Sequence, residues 1–345
     1  GTINGQGAHQ NFQHGNDSKG GPRRPKIIYF IGCNNVRVQD VTLRNSAYWT
    51  QDYEKCDGVI VRGVKVYSNA NWNNDGLDID SRNVVVSDCY IDCDDDALCL
   101  KSDTDTPCEN VTVTNCVLKS NCNAIKFGTS SYSGFKNVTI SNCTIDRASE
   151  DHIRQWYKNY PWIGTKHKTV VAGIALESVD GGIIENVSIS DIAMQGVQTP
   201  IFIRLGDRKR TFSKQMSRIN DVMISRIVAR SEGKIACSLT GVPGGDIKNI
   251  VISDVILVTD AEVAKTDIDL KVPEAIDKYP ENRMFGTILP ASGFYVRHAN
   301  GITFNNIKMT TTNKDERPMF HLNDVKNFTH QGCTLNNAKV TLKKE

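Results

Sequence analysis

The chain lacks any apolar run near the ~20 residues of a membrane-spanning helix, which excludes an integral helical membrane protein. It has almost no charge imbalance: 41 Lys and Arg stand against 39 Asp and Glu, a formal net charge of +2. A nucleic-acid binder normally shows a strong basic excess, so that class is disfavoured. Aromatic residues are only 7% of the 345 residues. Cys-x-x-Cys pairs are missing although there are eleven cysteines, so a structural zinc site is not expected, and an odd count disfavours a complete disulfide framework. Disorder is excluded by 39% hydrophobic and 23% charged residues. No signal peptide is read ahead of Gly1, and one is expected upstream of it. The chain opens on Gly1-Thr-Ile-Asn-Gly-Gln-Gly7, which reads as the middle of a fold. Upstream residues, any export signal and a cap on the first coil are therefore expected to be absent, or a partner subunit covers that end.

What is abundant is Asn, Val, Ile and Thr, and they repeat. The nonapeptide Asn-Val-x-Val-x-x-Val/Cys-x-Ile/Leu starts at Asn35, Gly58, Asn83, Asn110, Asn137, Asn186, Asp221, Asn249, Gly301 and Asn327. Its apolar positions alternate, the signature of a half-buried strand. A period near 25 residues with several short strands per turn is the arithmetic of a single-stranded parallel β-helix, an all-β solenoid whose coils share one core. Like residues then stack about 4.8 Å apart. Cys89, Cys116 and Cys143, at equal spacing, are expected to form a buried thiol column, with packing weighed above metal binding. The Asn column is expected to be a ladder at a turn, and the Asn-x-Ser/Thr triplets at Asn110, Asn137 and Asn186 follow from that column. Two longer steps leave room for an extra turn or for insertions, placed at 146–170 and 258–300 of one domain spanning 1–345.

A second ladder runs out of phase. Asp75-Gly-Leu-Asp-Ile-Asp-Ser81 aligns with Asp96-Ala-Leu-Cys-Leu-Lys-Ser102, then with the segments starting at Asn123, Ala172 and Thr199. The third and fifth residues point inward, so the fourth and sixth point out: Asp78, Asp80, Cys99, Lys101, Lys126, Glu177 and Arg204. Asp75, Asp95 and Asp96 should then cluster on one outer face. Crowded carboxyls raise at least one pKa, and one protonated plus one ionised carboxyl is what glycosidic hydrolysis requires. A solvated acidic turn and a calcium site are the competing readings of the same residues.

Asn73-Asn-Asp-Gly-Leu-Asp-Ile-Asp80 followed one coil later by Asp94-Asp-Asp-Ala-Leu-Cys-Leu-Lys-Ser102 resembles glycoside hydrolase family 28, the polygalacturonases, rhamnogalacturonan hydrolases and relatives. The likeness extends to the segments around Arg24–Trp49 and Val272–His298, which resemble bacterial members. It implies a right-handed parallel β-helix, no cofactor or metal, and an inverting cleavage of α-linked pectin-like or related plant or algal polysaccharide. It implies Asp95 as general acid and Asp75 and Asp96 as the pair that holds and deprotonates water, with Asn74 beside them. The family's Gly-His-Gly and Arg-Ile-Lys motifs are departed from: Asn123 stands at the histidine, Ala175 and Glu177 at the cations. Lys101, Lys126 and Arg204 are candidate replacements for gripping a uronate or sulfate; each is equally readable as a surface charge. Asn123, Asp78 and Glu177 are further candidates for sugar contacts. The insertion from Arg147 to Lys168 carries His152, Arg154, Trp156, Tyr157, Tyr160 and Trp162, readable as a sugar-stacking rim, with His152 a stand-in for the missing histidine and Trp156 a stacking platform, or equally as a loop that Trp156 and Trp162 pin to the coil. The stretch Asp207–Arg210 reads as a solvated loop. The expected setting is secreted or periplasmic. A polysaccharide lyase on the same scaffold and a non-catalytic glycan-binding β-helix, such as a surface or tailspike protein, are the alternatives.

Overall fold

The computed structural model describes residues 1–345 apart from 13–23, 152, 211–214, 246, 269 and 343–345. It is all-β in its regular structure, with one short α-helix, Trp156–Asn159, and a few 3-10 turns. Strand pairing is parallel throughout except for a small antiparallel hairpin of Thr334–Leu335 with Ala338–Lys339 and one isolated bridge.

The ten nonapeptides stand in register. Their second residues form one continuous column: Val36, Val59, Val84, Val111, Val138, Val187, Val222, Ile250, Ile302 and Phe328, each paired with the next. A one-residue slip would turn every inward side chain out, so the alternating pattern fixes this register. Because Val138 pairs directly with Val187 and Ile250 with Ile302, the long steps hold insertions and no additional coil. This is a parallel β-helix: strands one coil apart in sequence are neighbours in the sheet.

The corners explain the repeat's polar letters. Asn83, Asn110, Asn137 and Asn186 all take the left-handed conformation, φ 53 to 58°, where Asn is tolerated far better than most residues. Their side chains link coil to coil: Asn110 Nδ2 donates to Asn83 Oδ1 at 3.0 Å, Asn137 to Asn110 at 2.7 Å and Asn186 to Asn137 at 3.1 Å. Five residues on, Asp88, Asn115, Asn142 and Asp191 repeat that backbone geometry at a second corner. The thiols of Cys89, Cys116 and Cys143 are 2 to 3% exposed, and each donates to the carbonyl two residues earlier at 3.2 Å. All eleven cysteines are free.

The second ladder holds too. Leu77, Leu98, Ile125, Ile174 and Ile201 pair in sequence, as do Ile79, Leu100, Phe127, Leu176 and Ile203, all at zero exposure. Gly76 precedes the first of these columns, between Asp75 and Leu77; a Cβ there would meet Ile91 at 2.3 Å and the Ala97 carbonyl at 2.7 Å. That close approach lets the chain leave Asp75 on the outer surface and enter the core at once.

Candidate active site

The strands Leu77–Ser87, Leu98–Ser102, Asn123–Ser131 and Val170–Ser178 lie side by side. Their outward residues do leave the coil interior, but they are not solvated. Lys101 is 8% exposed and Lys126 3%. The Trp49 ring stands over Lys101 and Tyr279 of the late insertion over Lys126, which the ladder alone does not reveal. A cavity of about 220 Å³ remains, lined on one side by Tyr48, Trp49, Asn73, Asp75, Asp95, Asp96, Lys101 and Asp103, and on the other by Lys126, Thr129, Ser130, Arg208 and Tyr279.

The three aspartates meet there in different surroundings. Asp96 accepts hydrogen bonds from the Asn123 backbone N at 3.1 Å and Nδ2 at 2.8 Å, and from Lys126 Nζ at 2.9 Å. Burial pushes its carboxyl upward, but Lys126, Lys101 and these hydrogen bonds outweigh it and hold it below the usual carboxylate range. Among the described residues Asp75 is ion-paired with Lys101 alone, Nζ 3.6 Å from Oδ2, and its buried Oδ1 has no hydrogen-bond partner. Burial, with Asp96 adding and Lys101 opposing, pushes Asp75 up to about 6. Oxygens of Asp75 and Asp96 lie within 4.8 Å of one another. Asp95 accepts from the Asp96 N at 3.0 Å through Oδ1, and its Oδ2 is bound by the Arg154 guanidinium.

Lys101 also reaches Asp78 Oδ1 at 3.1 Å and lies 4.2 Å from the centre of the Trp49 ring. Burial would lower both lysines; Asp78 and Asp75 around Lys101, and Asp96 beside Lys126, hold them well above the ordinary value. Two groups bring potential metal-ligand atoms within 4.8 Å: Asp75, Asp96 and Cys99, and Asp95, Asp96 and Cys122. Lys101, Lys126 and Arg154 already sit on the carboxylates of Asp75, Asp96 and Asp95, so a divalent ion would have to displace them.

The structure places several of the expected site residues away from this cavity. Asn74, Asp78, Glu177 and Arg204 are at or below 1% exposed and none lines the cavity. Asn74 builds the turn: its Oδ1 accepts from the backbone of Ala70 and Asn71, and its Nδ2 donates to the carbonyls of Ser46 and Tyr48. Asp78 lies beneath the floor as a partner of Lys101. Glu177 sits under Thr129, which donates to its Oε2 at 3.2 Å; burial raises Glu177 to about 7 against the pull of Lys126. Arg204 points into the late insertion, donating to the carbonyls of Gly241, Glu274 and Ala275. Trp156 fastens its loop to the coil, donating from Nε1 to the Asn121 carbonyl at 2.9 Å and packing against Arg154 and Arg283. His152 lies outside the described residues. Asn123 does face Asp96, as given above.

Two cavity residues, Arg208 and Tyr279, carry no sequence signal of that role, and Arg154, named above only as part of the rim, pairs with Asp95 without itself lining the cavity. Arg208, in the stretch read as solvated, pairs with both oxygens of Asp180. Tyr279 takes hydrogen bonds on its hydroxyl from Thr129 at 3.0 Å and Lys126 at 3.4 Å. Arg154 reaches Asp94 and Asp95 from the rim insertion. All three come from aperiodic segments, so no column alignment could place them.

Comparison with known proteins gives a family and several likenesses. The family model described as "Glycosyl hydrolases family 28" matches residues 1–272. A protein named "Probable polygalacturonase" from Arabidopsis thaliana is 33% identical over 106 residues, 30% of this chain and 22% of that protein. Polygalacturonase QRT2 of the same plant is 24% identical over 225 residues, 61% of this chain and 45% of that one. Among solved structures, an exopolygalacturonase from Thermotoga maritima superposes with TM-score 0.59 at 21% identity, covering 85% of this chain and 56% of that one. The family 28 exopolygalacturonase of Yersinia enterocolitica gives 0.61 at 16%, covering 86% and 45%. The matched part is thus well short of the full length of each of these proteins.

Proposed function

We propose that this chain, which belongs to glycosyl hydrolases family 28, hydrolyses α-glycosidic bonds in a pectin-like plant or algal polysaccharide with inversion, using aspartates alone as acid and base. The observation that carries this reading is the convergence of Asp75, Asp95 and Asp96 on one cavity in unlike electrostatic settings. A water bridging Asp75 and Asp96 fits their separation, since two hydrogen bonds of about 2.8 Å span such a gap. Asp96, kept ionised, orients that water; Asp75, near 6, is poised to take its proton. Asp95, next to Asp96 in the chain, is the remaining carboxyl and protonates the leaving oxygen. The fold is read as a right-handed, single-stranded β-helix forming one domain, with rim insertions at 146–170 and 258–300. A wall polymer is met outside the cytoplasm, which supports a secreted or periplasmic setting.

The test is release of new reducing ends from a panel of acidic and neutral plant and algal glycans by wild type and Asp95→Asn. The variant is expected to lose on the order of 10²-fold to 10⁴-fold in rate. Unaltered turnover in the variant would overturn the assignment. Binding without turnover by wild type on every glycan would replace the enzyme with a glycan-binding protein.

A further inference from the structure

The geometry points to Arg154 as the cation that recognises an anionic sugar at the cleavage site, its resting partner Asp95 being exchanged for the sugar's carboxylate. This rests on the hydrolase reading above and names its substrate class.

Three observations carry it. First, the strands offer no cation at Ala175 or Glu177, and the lysines of the cavity floor are engaged in holding site carboxylates: Lys101 with Asp75 and Asp78, Lys126 with Asp96. Withdrawing either would leave a buried carboxylate without its counter-charge, which is costly. Second, Arg154 is built as a recognition group. It is 6% exposed. Its Nε lies 3.2 Å from both the Asp94 carbonyl and Asp94 Oδ2, and its backbone N donates to Asp94 Oδ1 at 3.3 Å. The Trp72 and Trp156 rings stand 5.0 and 5.5 Å from the guanidinium carbon. Asp94 and the two indoles therefore hold the guanidinium in place when its outer nitrogen Nη2 changes partner. Third, that nitrogen is on Asp95 Oδ2, and Asp95 lines the cavity.

The pairing with Asp95 is at odds with catalysis as it stands. A carboxylate gripped by a guanidinium keeps its charge, whereas a general acid must carry a proton. A sugar carboxylate arriving in the cavity resolves the conflict. It is the same group as Asp95 and takes the same nitrogen. Asp95, left beside the incoming carboxylate and Asp94 without its cation, takes up a proton from solvent, because like charges at such range disfavour a second ionised form. Recognition of the acidic sugar and arming of the acid are one event. A neutral sugar cannot displace Asp95 and leaves it charged.

The experiment compares wild type, Arg154→Ala and Arg154→Lys on para-nitrophenyl α-D-galacturonide and para-nitrophenyl α-D-galactoside, which differ only in a carboxylate against a hydroxymethyl group. Arg154→Ala should lose on the order of 100-fold in kcat/KM on the uronide, with Arg154→Lys recovering part of it. On the galactoside, the alkaline limb of the kcat/KM profile should move to higher pH in Arg154→Ala, because Asp95 there is free to hold its proton. Calorimetric binding of D-galacturonate in buffers of different ionisation enthalpy should show proton uptake in wild type and none in Arg154→Ala. An unchanged uronide kcat/KM, or a loss without change in proton uptake, overturns the inference; equal melting temperatures of the three proteins separate it from misfolding. Absence of any wild-type cleavage, on these probes or on polymers, would instead sink the hydrolase reading.

Discussion

At the scale of single residues, the site works by placing identical groups in unlike surroundings. Asp75 and Asp96 are both buried aspartates, yet one sits near 6 and the other below the ordinary range, because Asp96 has an ammonium and two amide hydrogens and Asp75 has one distant ammonium. The same burial acts on Glu177 and Asp80, both lifted to about 7. For Glu177 the sign follows directly. Its folded value lies above the unfolded value of 4.5, so the folded state holds the proton more tightly, and the stability this contributes is present below about 4.5 and is lost as pH rises through about 7. Glu177→Gln, which cannot ionise, should gain in melting temperature relative to wild type as pH is raised from about 5 to about 8. A gap that stays constant over that range would mean Glu177 is not ionising in the folded protein.

At the scale of elements, the fold was legible because each strand position is written ten times. The Val column, the Leu and Ile columns and the cysteine column follow from spacing alone, and so does the meeting of Asp75 with Asp96 on adjacent coils. What spacing misreads is solvation: residues at outward positions were expected at the surface, but the ladder contains no term for what later folds over it. Arg208 and Tyr279 are illegible for the related reason that they lie on segments without a period, and for the same reason Arg154 can be placed on the rim but not against Asp95. The corner asparagines offer a direct check on the element scale. Asn110→Ala must keep a left-handed backbone and loses its hydrogen bonds to Asn83 and Asn137. It should destabilise by about 1–2 kcal/mol in denaturant titration, and Asn110→Gly by less, since glycine accepts that conformation freely. Equal losses would show that the ladder, not the backbone, dominates.

At the scale of the whole molecule, two excursions from the helix close over one face and meet each other. Arg283 of the later one lies between Trp156 and Tyr160 of the earlier one, 4.3 and 4.4 Å from the ring centres. The later excursion is tied to the coils by Arg204, fully buried and bonded to the carbonyls of Glu274 and Ala275, and by Arg297, which donates to those of Val272 and Pro273 at 2.8 and 2.7 Å. Tyr279, a few residues on, completes the cavity. Arg204→Met should therefore expose the segment between Thr259 and Phe294 to limited proteolysis and weaken activity, with the coils themselves still folded by circular dichroism. Unchanged cleavage of that segment would show that Arg297 suffices as the tie. The parallel register along the stack has one more consequence, and it is mechanical. The hydrogen bonds between coils point along the stack axis, so tension between its two ends loads the bonds of one terminal coil before those of the next. The molecule peels under force instead of shearing. Asn83, Asn110 and Asn137 are spaced 27 residues apart, so each of those two coils, once released, lengthens the chain by on the order of 9 nm, and the steps become longer where the two excursions are inserted.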